Sequence, residues 1–466
     1  MTDGQIITHK HTVTVTILVM LMTAAAFGQP RVDTNRYMVD GTDIAAPVGT
    51  TAAGPLAPPL MCRQSEPVLL GSYLAFDYWS LDTSGLRDSA GKLHFAVRLW
   101  EYNNQNDNYY RYVISPDGEL LEVLNDWIGI GGLPVVTDEN GRNHFVRPVA
   151  TTQWFGVTDG LNNIHVFYTS AQSTGWEVAY TKLDPDGVTV IEPVVLTTGA
   201  DCWNWYLQPV VKSDDTVVVT WIRDTEDICA ISSSDYGVTW SDITVLLDWS
   251  GEQASCLKTV VGSDDSLHFV WRELNWTTYV EKLWYAKVRP DWSLAVAESN
   301  FFIGDCWYPF ASIDAYDNLH VTFSTNYDIG TNLYYTRLSG ELDLDGAPAT
   351  DALLTEVPER IFVVDPDAVR YPVNLVDAFG TVHVVYEEGE YGRGTDKDLY
   401  YVRLCSLAGD LDCDEDVDLA DLASLLAAYG TCEGEPGYEG VADLDGSGCI
   451  DLSDLAALLA NYGAGP

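Results

Sequence analysis

From about Gly85 to Leu404 the chain alternates short apolar strands with polar turns, and the alternation recurs as one unit. A turn holding Asp, and often Gly or Asn, leads into a strand with His at a fixed place, as in Gly91-Lys92-Leu93-His94-Phe95 and Asn162-Asn163-Ile164-His165-Val166. The same step returns at His268, His320 and His383, and Ser213-Asp214-Asp215-Thr216-Val217-Val218 repeats it with Val218 in place of His. An aromatic strand and a tight turn follow, for example Tyr180-Thr181-Lys182-Leu183-Asp184-Pro185-Asp186-Gly187. Counting Val218 with the histidines, successive units stand 71, 53, 50, 52 and 63 residues apart.

Units of about 40 to 50 residues with four strands each are the pattern of a β-propeller. The spacing predicts a six-bladed propeller over residues 67–405; two packed sandwiches would not explain a unit that persists six times. The stretch Asp138 to Phe145 carries half of the signature, but His144 lies only 21 residues before His165. It is therefore taken as an insertion, with seven-bladed as the alternative count. In the third unit, Ser233-Ser234-Asp235-Tyr236-Gly237-Val238-Thr239-Trp240 resembles the Asp-box of sialidase-like (BNR-repeat) propellers. That resemblance implies a structural turn in which Asp235 bonds turn amides and Trp240 packs between blades; it speaks to fold and not to activity.

Outside the first 28 residues every histidine, namely His94, His144, His165, His268, His320 and His383, occupies the repeat position or its near copy. A residue demanded by symmetry points to structure, not to a ring of metal ligands or a Ser-His-Asp triad. Resemblance to sialidases implies three convergent arginines, a Tyr-Glu pair and an acid Asp. Arg87, Arg272 and Arg370 lie near strand ends, and Glu273, Glu387 and Asp224 are the carboxylates that glycoside hydrolysis could pair. Arg223-Asp224 and Arg272-Glu273 recur at equivalent places, which favours a structural origin, and the family's arginine motif near the first blade is absent. A ligand face is expected where aromatic residues gather on loops opposite the Asp-turns: Tyr102, Tyr109, Trp203, Trp205, Tyr206, Trp276, Trp307, Tyr308, Tyr327 and Tyr391. Trp203, Trp205, Trp276 and Trp307 lead that set. Trp203 and Trp307, each in an Asp-Cys-Trp context, fit a core role equally well.

After residue 409 the pattern changes. Two twelve-residue loops place ligands at positions 1, 3, 5, 7 and 12: Asp410, Asp412, Asp414, Asp416 and Asp421, then Asp443, Asp445, Ser447, Cys449 and Asp454. Those positions supply the hard oxygens that Ca²⁺ needs, and position 7 uses a backbone carbonyl, so Cys449 is no obstacle. Each loop opens an amphipathic helix, with Leu422, Leu425, Leu426 and Tyr429 in the first and Leu455, Leu458, Leu459 and Tyr462 in the second. Gly430 and Gly463 suit the helix ends. The pair, at a 33-residue offset, resembles a type I dockerin module over residues 409–463. The resemblance implies two Ca²⁺ sites and a cohesin-like protein partner read by loop positions 10 and 11, here Leu419-Ala420 and Leu452-Ser453 instead of the usual hydroxyl pair. Partner identity is therefore open, between an attachment tag and a calcium-stiffened terminal domain. Glu415 replaces the Gly expected at position 6 of the first loop while the second keeps Gly448, so the second site is expected to be the better formed.

Composition narrows the partners. With 69 acidic against 24 basic residues the net charge is −45, which repels nucleic acid and anionic membranes. Residues 1–28 have the form of a secretory leader, with Lys10 ahead of an apolar run from Val13 to Phe27 that is too short to span a bilayer, and no later segment suits a membrane span. Residues 29–66 are expected to be a disordered linker. Nine cysteines in an exported chain favour disulfides, with Cys62 the expected odd one. Cys405, Cys413, Cys432 and Cys449 cluster near the C-terminus, while Cys202, Cys229, Cys256 and Cys306 fall in the β region.

The expectation is thus a mainly β, secreted, extracellular or cell-surface protein, with a small all-α dockerin-like calcium module at residues 406–466. One reading makes it a binding protein that offers an aromatic face to a polysaccharide or surface ligand. The alternative is an extracellular glycoside hydrolase.

Overall fold

The computed structural model describes residues 63–64, 68–76, 84–87, 92–101, 106–115, 120–125, 133–137, 143–146, 154–172, 175–186, 188–197, 204–249, 251–304, 306–314, 317–325, 332–338, 359–361, 369–377, 381–389, 395–405, 409–411, 416–432, 435–439, 442–444 and 447–464. The expected leader, nearly all of the expected linker, Cys62, Cys202, Trp203, Tyr102, Tyr327, Tyr391, Cys413, Asp412, Asp414, Glu415 and Asp445 lie outside the described residues.

The described chain is mainly β, built from antiparallel sheets whose hydrogen-bonded neighbours follow one another in sequence. Five are four-stranded. They comprise Ser84–Arg87, Leu93–Glu101, Asn106–Ile114 and Leu120–Asn125; Trp154–Thr158, Ile164–Gln172, Gly175–Leu183 and Thr189–Val195; Asn204–Val211, Val217–Arg223, Asp227–Ser233 and Thr244–Leu247; Gln253–Val261, Leu267–Leu274, Glu281–Val288 and Leu294–Ile303; and Trp307–Ile313, Leu319–Thr325, Asn332–Leu338 and Glu359–Ile361. The last sheet, Val369–Val376, Val382–Glu388 and Thr395–Cys405, is completed by Arg63–Gln64 and Val68–Phe76, both antiparallel to Thr395–Cys405. Strand pairing therefore begins at Arg63, inside the span expected to be linker. The stretch around His144, expected to be an insertion, forms a two-stranded sheet of Leu133–Thr137 and Asn143–Val146. The first strand of each sheet runs beside the first strand of the next, and Val369–Val376 runs beside Ser84–Arg87.

The second strands are the most buried; Leu267–Leu274 and Val382–Glu388 are buried at every residue. Strands covered on both faces favour continuous apolar, β-branched runs, and these sequences supply them. The core fills the spaces between sheets. Phe167, Tyr180 and Trp221 join the 154–195 and 204–247 sheets, and Trp249 and Trp271 join the 204–247 and 253–303 sheets. Each such side chain contributes roughly 1.5–3 kcal/mol on burial. Outer strands are more exposed, as Val190 and Val194 show, with Glu192 and Pro193 between them to discourage edge pairing.

The repeated histidine is the second residue of the second strand in every sheet but the 204–247 one, where Val218 takes the place. His165, His268, His320 and His383 are buried, with Nδ1 lying 2.9, 2.9, 2.9 and 2.7 Å from the hydroxyls of Tyr180, Tyr285, Tyr335 and Tyr401. In three of them Nε2 reaches an aspartate six residues earlier: Asp159 at 3.0 Å, Asp314 at 3.3 Å and Asp377 at 3.2 Å. A carboxylate only accepts, so Nε2 carries the proton and Nδ1 accepts from the tyrosine. The same aspartates tie down the turns: Asp159 accepts from the Leu161 and Asn163 amides, both at 2.9 Å. The 253–303 sheet differs. Gly262 replaces the aspartate, and His268 Nε2 has no hydrogen-bond partner.

Turn residues Asp215, Asp265 and Asp317, all at φ near +60°, each bond backward to the preceding sheet. Asp215 accepts from the Gly160 amide at 2.8 Å, Asp265 from the amide and hydroxyl of Ser213, both at 2.7 Å, and Asp317 from those of Ser263, both at 2.6 Å. The short polar side chain of Asp is among the few that tolerate this backbone region.

The Asp-box turn has the geometry its resemblance implies. Asp235 accepts from the Thr239 amide at 2.8 Å and from the Thr239 hydroxyl at 2.6 Å, while the Ser233 hydroxyl accepts from the Gly237 amide. Trp240 packs edge-on against Phe167 and Tyr180 of the neighbouring sheet. Gly237 has φ +83°, and a Cβ there would lie 1.9 Å from the Tyr180 hydroxyl, so only glycine fits.

Two helices, Leu419–Ala428 and Leu452–Asn461, follow the sheets. Each starts with a capping box, Asp418 with Asp421 and Asp451 with Asp454. The repeats clasp each other reciprocally. Ile450 of the second loop exchanges main-chain bonds with Gly430 and Thr431 after the first helix, and Val417 of the first loop does so with Gly463 and Ala464 after the second. A disulfide, Cys432–Cys449, reinforces the former. Leu425 and Leu458 enter the core with Val417 and Ile450, whereas Leu426, Leu459, Tyr429 and Tyr462 point outward. The loop residues fill the space that a wider helical face would otherwise occupy. Among the described residues no helix is long and apolar enough to cross a membrane.

Candidate functional site

Four first strands break register at the same place. The irregularities fall between Trp205 and Gln208, Ser255 and Lys258, Trp307 and Phe310, and Arg370 and Val373. Inside each bulge one non-glycine residue adopts a left-handed conformation: Tyr206 at φ 57°, Cys256 at 54°, Tyr308 at 50° and Tyr371 at 49°. Bulky residues rarely adopt that region, because Cβ crowds the backbone, and such outliers gather where function demands a particular side-chain aim.

The four side chains meet. Tyr206 hydrogen-bonds with Cys256, and Tyr308 with Tyr371, whose ring centroid lies 4.2 Å away. All four are half-buried. Burial, reinforced by its neighbours Cys256 and Tyr308, keeps Tyr206 protonated well above the usual range. Burial and then Tyr371 do the same for Tyr308, and burial raises the Cys256 thiol. At neutral pH the cluster therefore offers hydroxyl donors and acceptors.

Two buried arginines border it. Arg272 donates from Nε and Nη2 to Glu281 at 3.0 and 2.5 Å and from Nη1 to Ser255 at 3.3 Å, and its guanidinium sits 3.8 Å from the Trp307 ring centroid. Glu281 also accepts the Cys306 amide at 2.9 Å. Arg370 stands in register opposite Glu387, both buried. Glu273 accepts from the Trp284 indole at 2.9 Å and from Lys282 at 3.1 Å. Asp224 sits exposed in a turn, and its neighbour Arg223 pairs with Asp227. Arg87 lies in a first strand; its side chain is outside the described residues.

The leading aromatic candidates divide. Trp205 and Trp307 are strand residues rather than loop residues, because the bulges let a strand turn its side chains as a loop would. Tyr206 and Tyr308 are likewise in strands, as is Tyr109. Trp205 stacks at a tilt on Trp176, with centroids 5.6 Å apart. Trp276 is on a hairpin loop, 52% exposed, and its indole donates to Gln253. Cys256 and Tyr371 escaped the sequence reading. The signal was present: Tyr206, Cys256, Tyr308 and Tyr371 stand 50, 52 and 63 residues apart, the very steps of Val218, His268, His320 and His383.

In the C-terminal loops the position-12 carboxylates are fully buried and draw each loop closed. Asp421 accepts the amides of Leu411 and Asp418, the latter at 2.7 Å; Asp454 accepts those of Leu444 at 2.6 Å and Asp451 at 2.7 Å. Asp443 accepts from Ser447 at 3.0 Å and Gly448 at 2.7 Å, with Gly448 at φ +83°. Carboxylate oxygens of Asp416, Asp418 and Asp421 lie within 4.8 Å of one another. The Cys449 sulfur is committed to the disulfide, which leaves its carbonyl as the donor. The described candidates, Asp410, Asp416, Asp421, Asp443, Ser447, the Cys449 carbonyl and Asp454, offer oxygen donors, the type that Ca²⁺ takes. Leu419, Ala420, Leu452 and Ser453 are all exposed, Leu419 and Leu452 at 67% and 69%.

No protein-family model matches the chain, and no curated protein matches it. Among similar solved structures, a Dyadobacter fermentans protein of unknown function shares 9% identity over 72% of this chain and 99% of its own, with a TM-score of 0.47. An α-L-arabinofuranosidase from Fusarium graminearum shares 11% identity over 72% and 98%, with a TM-score of 0.46. The NanB sialidase of Streptococcus pneumoniae shares 11% over 72% and 70%, with a TM-score of 0.44. These likenesses are loose, and the function proposed below rests on this chain's own residues.

Proposed function

We propose that the sheets close into a β-propeller whose bulge cluster binds a polysaccharide, and that the C-terminal module is a calcium-dependent dockerin-like attachment domain of a secreted protein. The run of neighbouring first strands, ending with Val369–Val376 beside Ser84–Arg87, supports the closed ring, with the two-stranded sheet as a reduced seventh unit. The observation that carries the ligand reading is the set of four left-handed bulge residues, Tyr206, Cys256, Tyr308 and Tyr371, gathered beside Trp307 and Arg272. Sugars present hydroxyls in a fixed fan and apolar C–H faces, which protonated tyrosines and indole rings complement.

In the tail, Asp410, Asp412, Asp414, Asp416 and Asp421 would hold one Ca²⁺, and Asp443, Asp445, Ser447, the Cys449 carbonyl and Asp454 the second. Bound Ca²⁺ would supply the positive charge that lets these carboxylates share one turn. Leu419, Leu426 and Tyr429, repeated as Leu452, Leu459 and Tyr462, form two copies of one exposed apolar face suited to a protein partner of the cohesin type.

The test is retention of the full-length protein on immobilised polysaccharides, with reducing-end release scored separately. Trp307→Ala and Tyr308→Phe are expected to reduce retention at least tenfold while the melting temperature holds for Tyr308→Phe. Retention unaffected by both variants would place the ligand elsewhere, and release of reducing ends would make the protein a glycoside hydrolase.

A further inference from the structure

We infer that the ligand of the bulge cluster is an uncharged glycan, held by hydroxyl hydrogen bonds and ring faces rather than by ion pairs. This rests on the carbohydrate reading above and adds its substrate class. A uronate, sialate or sulfated sugar entering a half-buried site needs a cation whose donors and charge are free, and arginine forks are the usual means.

Neither arginine brings uncompensated charge to the site. Arg272 gives Nε and Nη2 to Glu281, bonds Ser255 through Nη1, and lays its plane on Trp307, so its charge is answered inside the fold. Arg370 stands in register with Glu387, with Glu388 next along, and all three are buried; its Nε makes no hydrogen bond among the described residues, but its charge lies among these carboxylates. Lys258, at the end of one bulge, lays its ammonium over the Phe310 ring, and Lys282 is already on Glu273. Among the described residues Arg272, Arg370, Lys258 and Lys282 stand against Glu273, Glu281, Glu387 and Glu388, so these strand ends carry no surplus positive charge. The chain's net −45 adds a long-range field that opposes an anionic polymer.

What the cluster does offer suits a neutral sugar. The three tyrosines supply both donor and acceptor capacity from one atom each, and desolvation raises Tyr206 and Tyr308 further above the range in which they would ionise. Trp205 and Trp307 sit directly before the bulge tyrosines in sequence, which brings ring faces to the same strand ends.

The experiment uses the full-length protein on two sets of immobilised polymers: neutral (arabinan, galactan, mixed-linkage glucan, mannan) and acidic (polygalacturonate, alginate, a sulfated galactan). Dissociation constants are measured in 20 and 500 mM NaCl. The expected result is retention on at least one neutral polymer, changing less than about twofold between the two salt concentrations and weakened at least tenfold by Tyr308→Phe. Retention confined to acidic polymers, or affinity that falls tenfold or more in high salt, overturns the inference while leaving the carbohydrate reading intact. Absence of retention on either set overturns the carbohydrate reading itself, and the inference with it.

Discussion

Lowering the pH from 7 to 4 is expected to cost the fold about 3 kcal/mol at one residue, His268. Burial, and then the positive charge of Lys287, depress this imidazole to about 4. The sister histidines at 165, 320 and 383 have an aspartate on Nε2; here Gly262 stands in its place. Above about pH 6.5 the imidazole is neutral whether the chain is folded or unfolded, and the fold is at full strength. As pH falls toward 4, the unfolded chain takes up a proton that the folded one refuses. A gap of about 2.5 pH units at about 1.36 kcal/mol each gives the stated loss, most of it gone by pH 4. Urea unfolding followed by tryptophan fluorescence at pH 7, 5.5, 4.5 and 4, on wild type and His268→Gln, isolates it. Glutamine can still meet the Tyr285 hydroxyl but does not titrate, so its stability should fall by about 3 kcal/mol less over that range. Equal pH dependence in the two proteins would refute the reasoning. Gly262→Asp is a poorer probe, since a Cβ at 262 would lie 2.9 Å from Nε2 and force the ring to move.

Glu281→Ala leaves the buried Arg272 guanidinium unpaired and is expected to destabilise by about 3–5 kcal/mol in urea melts, whereas Arg272→Met with Glu281→Leu should recover most of that loss. Gly237→Ala combines a left-handed backbone with a clash on the Tyr180 hydroxyl; a loss of about 2–4 kcal/mol, read as a lowered unfolding midpoint, is expected. Added Ca²⁺ at millimolar concentration should slow amide exchange across residues 409–464 of the full-length protein, and Asp410→Ala with Asp443→Ala should abolish the effect. Equal exchange with and without chelator would remove calcium from the account.

The β content and the placing of each histidine were legible because strand period and turn chemistry are local, and five copies of the turn-strand-His step, with a sixth carrying Val218, outvote any one ambiguous segment. The buried role of those histidines followed from the same symmetry. The bulges were not legible. A register break depends on how two strands pair, and nothing in Ser255-Cys256-Leu257 marks it until the 50, 52 and 63 residue steps are carried over from the histidines. The reciprocal clasp of the C-terminal repeats and the Cys432–Cys449 pairing were hidden for a related reason, since spacing alone leaves several pairings open. For Arg272 the recurrence favoured a structural role, and the third strand, carrying Glu281, supplies the partner that the sequence did not reveal.

The pairing of Val68–Phe76 with Thr395–Cys405 sets a schedule for synthesis. The first of these strands leaves the ribosome about 330 residues ahead of its partner, since Val68 pairs with Tyr401. At about 5–20 residues per second it waits roughly 15 to 65 seconds with one edge unsatisfied. For that interval its main-chain donors and acceptors form an open template that any passing strand could occupy, including the same segment of a second nascent chain. A pairing between strands so distant in sequence also makes the final folding step slow. Yield of the full-length protein should therefore depend on translation rate and on chaperones that cover residues 68–76, more than on the stability of the finished fold.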